Sequence, residues 1–376
     1  MEESAEISPT TAKGSVNRRS LLKGGLIAGS IAAAGMLAHS NSALADRDDH
    51  NDRGELDRGD IAILRFLAAA EIIETDLWDQ YAELGGVDNT SNNTYQQAFE
   101  FLDGDGLQYI SSNTLDEASH ASFLNAYLES KGTPPVDLDA FRNLQGSTAM
   151  GSKNIGRLTN LLHLNVDTSW YIRYRSTTSP DFGATSPQAI TITNRPAIPA
   201  TDADFEGPNH IQAIANTAAF HFGTIEQGGT SLYASLAQKV RHPEVLTIVL
   251  GIGGDEVAHF LEWVDFAGNS VQPGNGGAFS FSGSTSPVTD NGLTFPDFTK
   301  KGPLFQPNLI FPVPADFISK KLPKCAVIRP ITDRFFGARA AAKALTDMNL
   351  FGGQPQSFFR VLNQLADEAD AAVRGF

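Results

Sequence analysis

The sequence predicts an all-α fold organised around a four-helix bundle. Three observations carry that prediction. Apolar residues recur at a 3-4 spacing through several long segments, which marks one face of a helix. Two of those segments carry the same Glu-x-x-His spacing. The helix before each carries a glutamate with matching neighbours, so the chain holds a degenerate twofold repeat.

The first helix begins at Ile61. Leu64, Leu67, Glu71, Glu74, Trp78 and Tyr81 share its stripe, and Gly85-Gly86 end it. A polar loop follows over Asn89 to Asn93. A second helix starts within 94–112, is interrupted by Asp-Gly-Asp-Gly at 103–106, and is clear from Thr114 to Ser130. Lys131-Gly132-Thr133-Pro134-Pro135 closes it. A further helix is expected over 152–175 from Leu158, Leu161, Leu162, Val166, Trp170 and Tyr174, with no acid on that stripe. A Pro/Thr/Ser loop spans 176–208. Helix four runs from Ile211 to Val240. Helix five runs from Pro243 to Ala267, with proline suited to a first turn.

Residues 268–330 are rich in Gly, Ser and Pro, with β-branched clusters that suit short strands at most. The tail returns to helix over Phe335–Met348 and Gln356–Val373. The expected organisation is therefore a bundle at 61–268, with an inserted segment at 133–210 that adds a helix to the crossover. A loop-rich extension ending in helices fills 269–376.

The N-terminus reads as a targeting segment, set apart from the fold. Asn17-Arg18-Arg19-Ser20-Leu21-Leu22-Lys23 resembles a twin-arginine export motif, with Asn where Ser or Thr is usual and Leu where Phe is usual. A Gly/Ala-rich apolar run follows from Gly24 to Ala38, too short for a secure bilayer span. Ala43-Leu44-Ala45 fits a signal-peptidase site. The expectation is a twin-arginine signal peptide at 1–45, a solvated linker at 46–60, and a mature chain starting near Asp46. That chain would be periplasmic or extracellular, with no stable membrane span after cleavage. An uncleaved anchor is the alternative.

Composition bounds the function. Hydrophobic residues make up 41% of 376, enough for a sizeable core. The net charge is −15; residues 1–45 hold four basic and three acidic side chains, so the remainder stands near −16. Such acidity argues against nucleic acid or an anionic membrane as partner. The single cysteine, Cys325, excludes an intrachain disulfide and a cysteine-based zinc or iron–sulfur site. A lone cysteine reads as a buried small hydrophobe.

The chemistry lies in the repeat. Glu117-Ala-Ser-His120 and Glu256-Val-Ala-His259 each place a carboxylate and an imidazole on one helix face. Glu71-x-x-x-Thr75-x-Leu77-Trp78 matches Glu226-x-x-x-Thr230-x-Leu232-Tyr233 in the helices before them. The acids sit on stripes such as Leu64, Leu67, Glu71, Trp78 and Val249, Ile252, Glu256, Trp263, where core residues belong. Burying four carboxylates without a cation would be very costly. Metal binding is the natural compensation. Glu71, Glu117, His120, Glu226, Glu256 and His259 are the expected ligands of two divalent ions, the set found in di-iron and di-manganese carboxylate bundles. Iron, manganese and zinc all suit carboxylate and imidazole donors.

On these motifs the chain resembles the ferritin-like superfamily over about 60–268, and within it exported ferritin-like proteins related to desiccation and stress. The resemblance implies that Glu71 and Glu226 are single-glutamate ligands. It implies that Glu117 and Glu256 bridge, and that His120 and His259 cap each metal. It also implies oxidase-, ferroxidase- or catalase-like turnover of dioxygen or peroxide. A non-enzymatic structural or stress-protective binding protein is the alternative. Homo-oligomers are compatible with it; a storage cage is not expected, because the long crossover and the tail would crowd such packing.

Other residues are set lower. Glu74 shares the stripe of Glu71 and rivals it as ligand, but its counterpart in the second half is Gly229. Asp116 and Asp255 point off the stripe and are expected to face solvent or cap a neighbour. His50, His163, His210 and His221 read as ordinary polar residues, and Glu262 as a member of a surface pair. Trp78, Tyr233 and Trp263 read as core. Gly251-x-Gly253-Gly254 reads as close helix packing or a local kink. No phosphate loop, nucleophile elbow or nucleotide fingerprint is present.

Overall fold

The computed structural model describes residues 56–175, 190–269, 288–296, 302–305, 309–328 and 337–374. The expected signal peptide, most of the linker and His50 lie outside them. Among the described residues no helix is long and apolar enough to cross a membrane.

Four long helices form the bundle: α1 (Arg58–Gly85), α3 (Gly106–Ser130), α5 (Pro208–Ala237) and α6 (Pro243–Asn269). A short α2 (Thr94–Leu102) bridges α1 and α3. Local chemistry sets these limits. The Asp57 carboxylate accepts from the Asp60 N–H at 2.8 Å and caps α1. Asn93 and Gln96 form a reciprocal capping box at α2. The break expected at 103–106 falls at Asp103–Asp105, where Asp103 turns its carboxylate to the Asp105 N–H at 2.8 Å. Pro208 and Pro243 occupy first turns of α5 and α6, where a missing N–H costs nothing.

The helices pair as two hairpins, α1 with α3 and α5 with α6. Their shared core is apolar and aromatic: Ile63, Leu67, Trp78, Phe222 and Trp263 are almost completely buried. The turn between α5 and α6 is pinned to α1. Asp60, itself buried, accepts from the N–H groups of Arg241 and His242 at 2.9 and 2.8 Å.

The crossover departs from expectation. In place of a helix over 152–175 the chain has two-residue strands β1 (Leu144–Gln145) and β2 (Gly156–Arg157), then β3 (Leu164–Val166). Only a single turn, α4 (Trp170–Arg173), is helical. The cause is a long-range hydrogen-bond sink. Asp76 of α1, 1% exposed, accepts from the N–H groups of Leu158 and Thr159 and from the Thr159 hydroxyl at 2.7–3.0 Å. Arg157 reaches Glu83 at 2.5 Å, also buried. These bonds take the backbone donors that a helix would use, and hold the segment extended along α1. The apolar residues of the expected stripe still bury: Leu158, Leu161, Trp170 and Tyr174 are core. β3 pairs with β4 (Ile192–Arg195).

Beyond the bundle, β5 (Val288–Asp290) and β6 (Leu293–Phe295) form a hairpin against α5. Asn291 and Gly292 make its two-residue turn with φ of 45° and 82°, the pair that turn geometry favours. The tail forms α7 (Ala338–Asp347) and α8 (Gln356–Asp370). α8 packs on α1. Its Asp370 accepts from the N–H groups of Ala338 and Arg339 at 3.0 and 2.8 Å, capping α7 from outside. Cys325 is exposed, not buried, in a bridge with Ala315.

Candidate metal centre

The stripes of α1, α3, α5 and α6 deliver Glu71, Glu117, His120, Glu226, Glu256 and His259 to one point inside the bundle. None of the six exceeds 7% exposure. His120 Nδ1 lies 3.4 Å from Glu71 Oε2, 3.3 Å from Glu117 Oε2 and 3.9 Å from Glu256 Oε1. His259 Nδ1 lies 3.1 Å from Glu117 Oε1 and 3.3 Å from Glu226 Oε2. The two carboxylate oxygens of Glu117 thus face different imidazoles, and the ring centres stand 6.4 Å apart. Among the described residues two fully buried groups could each hold a cation: Glu71, Glu117, His120 and Glu256; and Glu117, Glu226 and His259; a third, partly exposed group is Asp116, Asp255 and His259.

The outer ring nitrogens decide what the inner ones present. His120 Nε2 lies 3.2 Å from Asp255 Oδ2, and His259 Nε2 lies 3.2 Å from Asp116 Oδ2. A carboxylate at Nε2 holds the proton there and leaves the Nδ1 lone pair turned inward. That lone pair meets carboxylate oxygens, which are also acceptors. Glu71 Oε2, Glu117 Oε1, Glu226 Oε2, both oxygens of Glu256 and His259 Nδ1 are buried without a hydrogen-bond partner. Acceptors converging on acceptors are satisfied by a cation. Two divalent ions cancel the charge of four carboxylates, so donor set and charge both fit a dinuclear metal centre.

Without metal, protons must fill that role. Burial, then the charges of Glu226 and Glu71, push the Glu117 carboxyl up to about 8. Burial and Glu117 raise Glu256 well above the carboxylate range. Burial opposes the imidazolium of His120, yet hydrogen bonds to Glu117 and Glu71 lift it to about 10. His259 is raised further, by Asp116, Glu117 and Glu226 acting against burial.

The twofold repeat acquires a function for its aromatic positions. Trp78, seven residues after Glu71, donates its indole N–H to Glu226 Oε1 at 3.1 Å. Tyr233, seven after Glu226, donates its hydroxyl to Glu71 Oε1. Asn113 adds a donor to Glu226 at 3.3 Å. Each half therefore orients the other half's glutamate, and each half's aspartate orients the other half's histidine.

The structure adds to two expectations. Asp116 and Asp255 are 45% exposed, open to solvent as expected, and each also pairs with a histidine of the other half. Trp78 and Tyr233 are core residues that also hold ligand candidates. The signal was present in the sequence as an Asp directly before each Glu-x-x-His and an aromatic seven after each single glutamate. Which helix each would face is a tertiary fact, invisible in the spacing.

Glu74 stays out of both ligand groups. It is 7% exposed and raised well above the carboxylate range by burial and by Glu117. Gly229, its counterpart, has a steric reason: a Cβ there would come within 1.9 Å of Glu256 Oε2. Gly253 likewise allows α6 to approach Tyr233, whose Cβ would lie 2.8 Å from an added methyl, while Gly251 and Gly254 face open space.

Glu262 has no ion pair among the described residues; burial pushes it up to about 7 beside the acids of the centre. The remaining described histidines are structural. Burial pushes His221 down to about 3, and it meets the Tyr81 hydroxyl at 2.7 Å. His210 sits between Asp204 and Asp290 at 2.9 and 3.1 Å, tying the β5–β6 hairpin to α5. His163 bonds Asn194 on the surface.

Neither the curated proteins nor the solved structures searched contain a match to this chain. A family model described as the ferritin-like domain matches residues 59–263, more than half of the chain and all four bundle helices nearly end to end. The buried carboxylate–imidazole cluster lies wholly inside that match, and the chain belongs to the ferritin-like domain family.

Proposed function

We propose that this protein holds two divalent metal ions, iron or manganese, and acts on dioxygen or peroxide in defence against oxidative or desiccation stress. The observation that carries this reading is the convergence of unpartnered acceptor atoms from both halves of the repeat onto one buried point. Glu71, Glu117, Glu256 and His120 would hold one ion, and Glu117, Glu226 and His259 the other. Two such ions supply the redox equivalents for oxidase-, ferroxidase- or catalase-like turnover.

The chain's own residues do the rest. Asp116 and Asp255 fix the imidazole tautomers. Trp78, Tyr233 and Asn113 fix the carboxylates of Glu226 and Glu71. The aromatic floor of Trp78, Phe222 and Trp263, with centroids 4.6–5.3 Å apart, excludes water below the centre.

Export through the twin-arginine route to the periplasm or beyond is part of the proposal. It rests on Arg18-Arg19, the apolar run and the Ala43-Leu44-Ala45 site. That route carries folded proteins, which suits an ion loaded before export.

Elemental analysis of the protein as isolated tests the centre. Two metals per chain, with peroxide consumption or ferrous oxidation by the loaded protein, are expected. No metal, and a melt unmoved by chelator, would leave a metal-free structural or binding protein. An intact Met1 terminus on exported protein would overturn cleavage.

A further inference from the structure

One acid beside the centre has no task in the scheme above. Glu74 lies one helical turn beyond Glu71, 7% exposed and outside the groups that could hold a cation. It borders a cavity of about 40 Å³. Phe66 and Ala70 of α1, Leu232 of α5, and Ala341 and Leu345 of α7 form apolar walls. Gly229 contributes bare backbone to the same wall, and Glu256 Oε2 lies directly against that glycine. The inner end of the cavity is therefore one residue from a ligand candidate.

The outer end is also defined. Thr224, Ala344 and Met348 line both this cavity and a larger open cleft of about 490 Å³. The cleft runs between the β3–β4 hairpin, α5 and α7, past Asn165, Ile192 and Lys343. The neck between the two is held from both sides. The Met348 carbonyl accepts from the Asn165 N–H at 2.9 Å, and Asp370 caps the start of α7.

We propose that this path is the entry for the centre's small neutral substrate, dioxygen or hydrogen peroxide, and that α7, the first helix of the tail, forms its outer wall. The inference rests on the reading of the centre as a site of dioxygen or peroxide chemistry. Size supports it: a single water needs about 10–15 Å³, so 40 Å³ admits a two-oxygen molecule and excludes a sugar or nucleotide. Polarity supports it too. The outer cleft carries charges such as Asp167, Arg173 and Lys343, but the inner cavity is apolar except for Thr224 and Glu74, so an ion would have to shed most of its hydration to pass. Glu74 offers one polar atom at the inner end, where a peroxide hydroxyl could bond. Cations have a separate face at Asp116 and Asp255, both 45% exposed over the histidines. α7 lies outside the residues matched to the ferritin-like domain, so the outer wall comes from beyond that domain.

Xenon tests the cavity without reference to metal, because dry apolar cavities bind it. Crystals of the mature protein pressurised with xenon should show an atom between Ala70, Leu232 and Ala344. Xenon bound elsewhere but not there would overturn the proposal. Ala344→Phe then closes the neck. Metal content and melting temperature should stay at wild-type values, and the xenon site should empty. The bimolecular rate constant of the metal-loaded protein should fall about tenfold or more, ~1.4 kcal/mol of added barrier. Running the assay separately with dioxygen and with peroxide identifies which of them uses the path. An unchanged rate for both, with the xenon site empty, refutes the path. Fewer than two metals in the wild type refutes the reading of the centre and leaves the xenon result standing. Should Ala344→Phe fold poorly, Ala344→Leu serves the same comparison.

Discussion

Replacing Gly229 by alanine gives the sharpest test of the centre. The added methyl would lie 1.9 Å from Glu256 Oε2, 2.8 Å from its Cδ and 3.5 Å from its Cγ. Real Cβ contacts essentially never fall below 3.0 Å, so the carboxylate must retreat by roughly 1 Å. Glu256 is completely buried, so that retreat shifts it off the position it holds in the ligand group.

The helix itself should survive. Overpacking costs about 1–3 kcal/mol and alanine returns about 1 kcal/mol over glycine in a helix interior, a net loss of at most ~2 kcal/mol. The centre should not. A constellation of ligands tolerates only ~0.5 Å of error, and metal affinity should fall about 10–100-fold. The assay is metal titration with elemental analysis, paired with thermal melting of the metal-free form. Gly251→Ala is the control: nothing lies within 4 Å of its Cβ, so metal binding should be unchanged and stability slightly raised. Two metals bound by Gly229→Ala with wild-type affinity would refute the geometry. So would an equal loss in the control.

Three further outcomes follow from the same contacts. Trp78→Phe and Tyr233→Phe each remove the donor that orients the other half's glutamate; each should weaken metal binding about 10-fold or more while the fold persists, as read by titration and circular dichroism. Asp116→Asn and Asp255→Asn should each cost about 10–100-fold in affinity by freeing the imidazole tautomer, and unchanged affinity in both would remove them from the centre. Metal binding should release protons. Glu117 in the metal-free protein holds its proton to about pH 8 and His120 to about pH 10, and ligation requires both to be lost. Affinity should therefore rise with pH through that window and fall below it. Calorimetry in buffers of different ionisation enthalpy measures the release, and an affinity flat below pH 8 would contradict it.

Much of this was legible in sequence because it is local. A residue three positions after another on a helix shares its face whatever the rest of the chain does, so the two Glu-x-x-His pairs declared themselves. The four bundle helices did so for the same reason, as did the break at Asp103–Asp105. The crossover was opaque because apolar residues at helical spacing also suit an extended segment. Leu158 and Leu161 bury either way, and what decides is Asp76, more than eighty residues earlier, drawing off two backbone N–H groups. The histidine partners of Asp116 and Asp255 were hidden for a related reason. The two aspartates lie off their own helix's apolar stripe, and only the neighbouring helix shows what they meet. Glu74 could be ranked below Glu71 by the repeat alone, but the cavity it borders is closed by a tail that shares no motif with the bundle.

The crossed wiring between the halves has a consequence for assembly. The glutamate of α1 is steadied from α5, that of α5 from α1, the histidine of α3 from α6, and that of α6 from α3. Either hairpin alone would have its own Glu-x-x-His but a loose, unsteadied set of acids. Folding must then bring the hairpins together before the cluster is complete, and an ion held there would be a lock on a finished scaffold, not its seed. Occupancy of the two positions should rise together, since Glu117 serves both and each partner contact spans the seam between the hairpins.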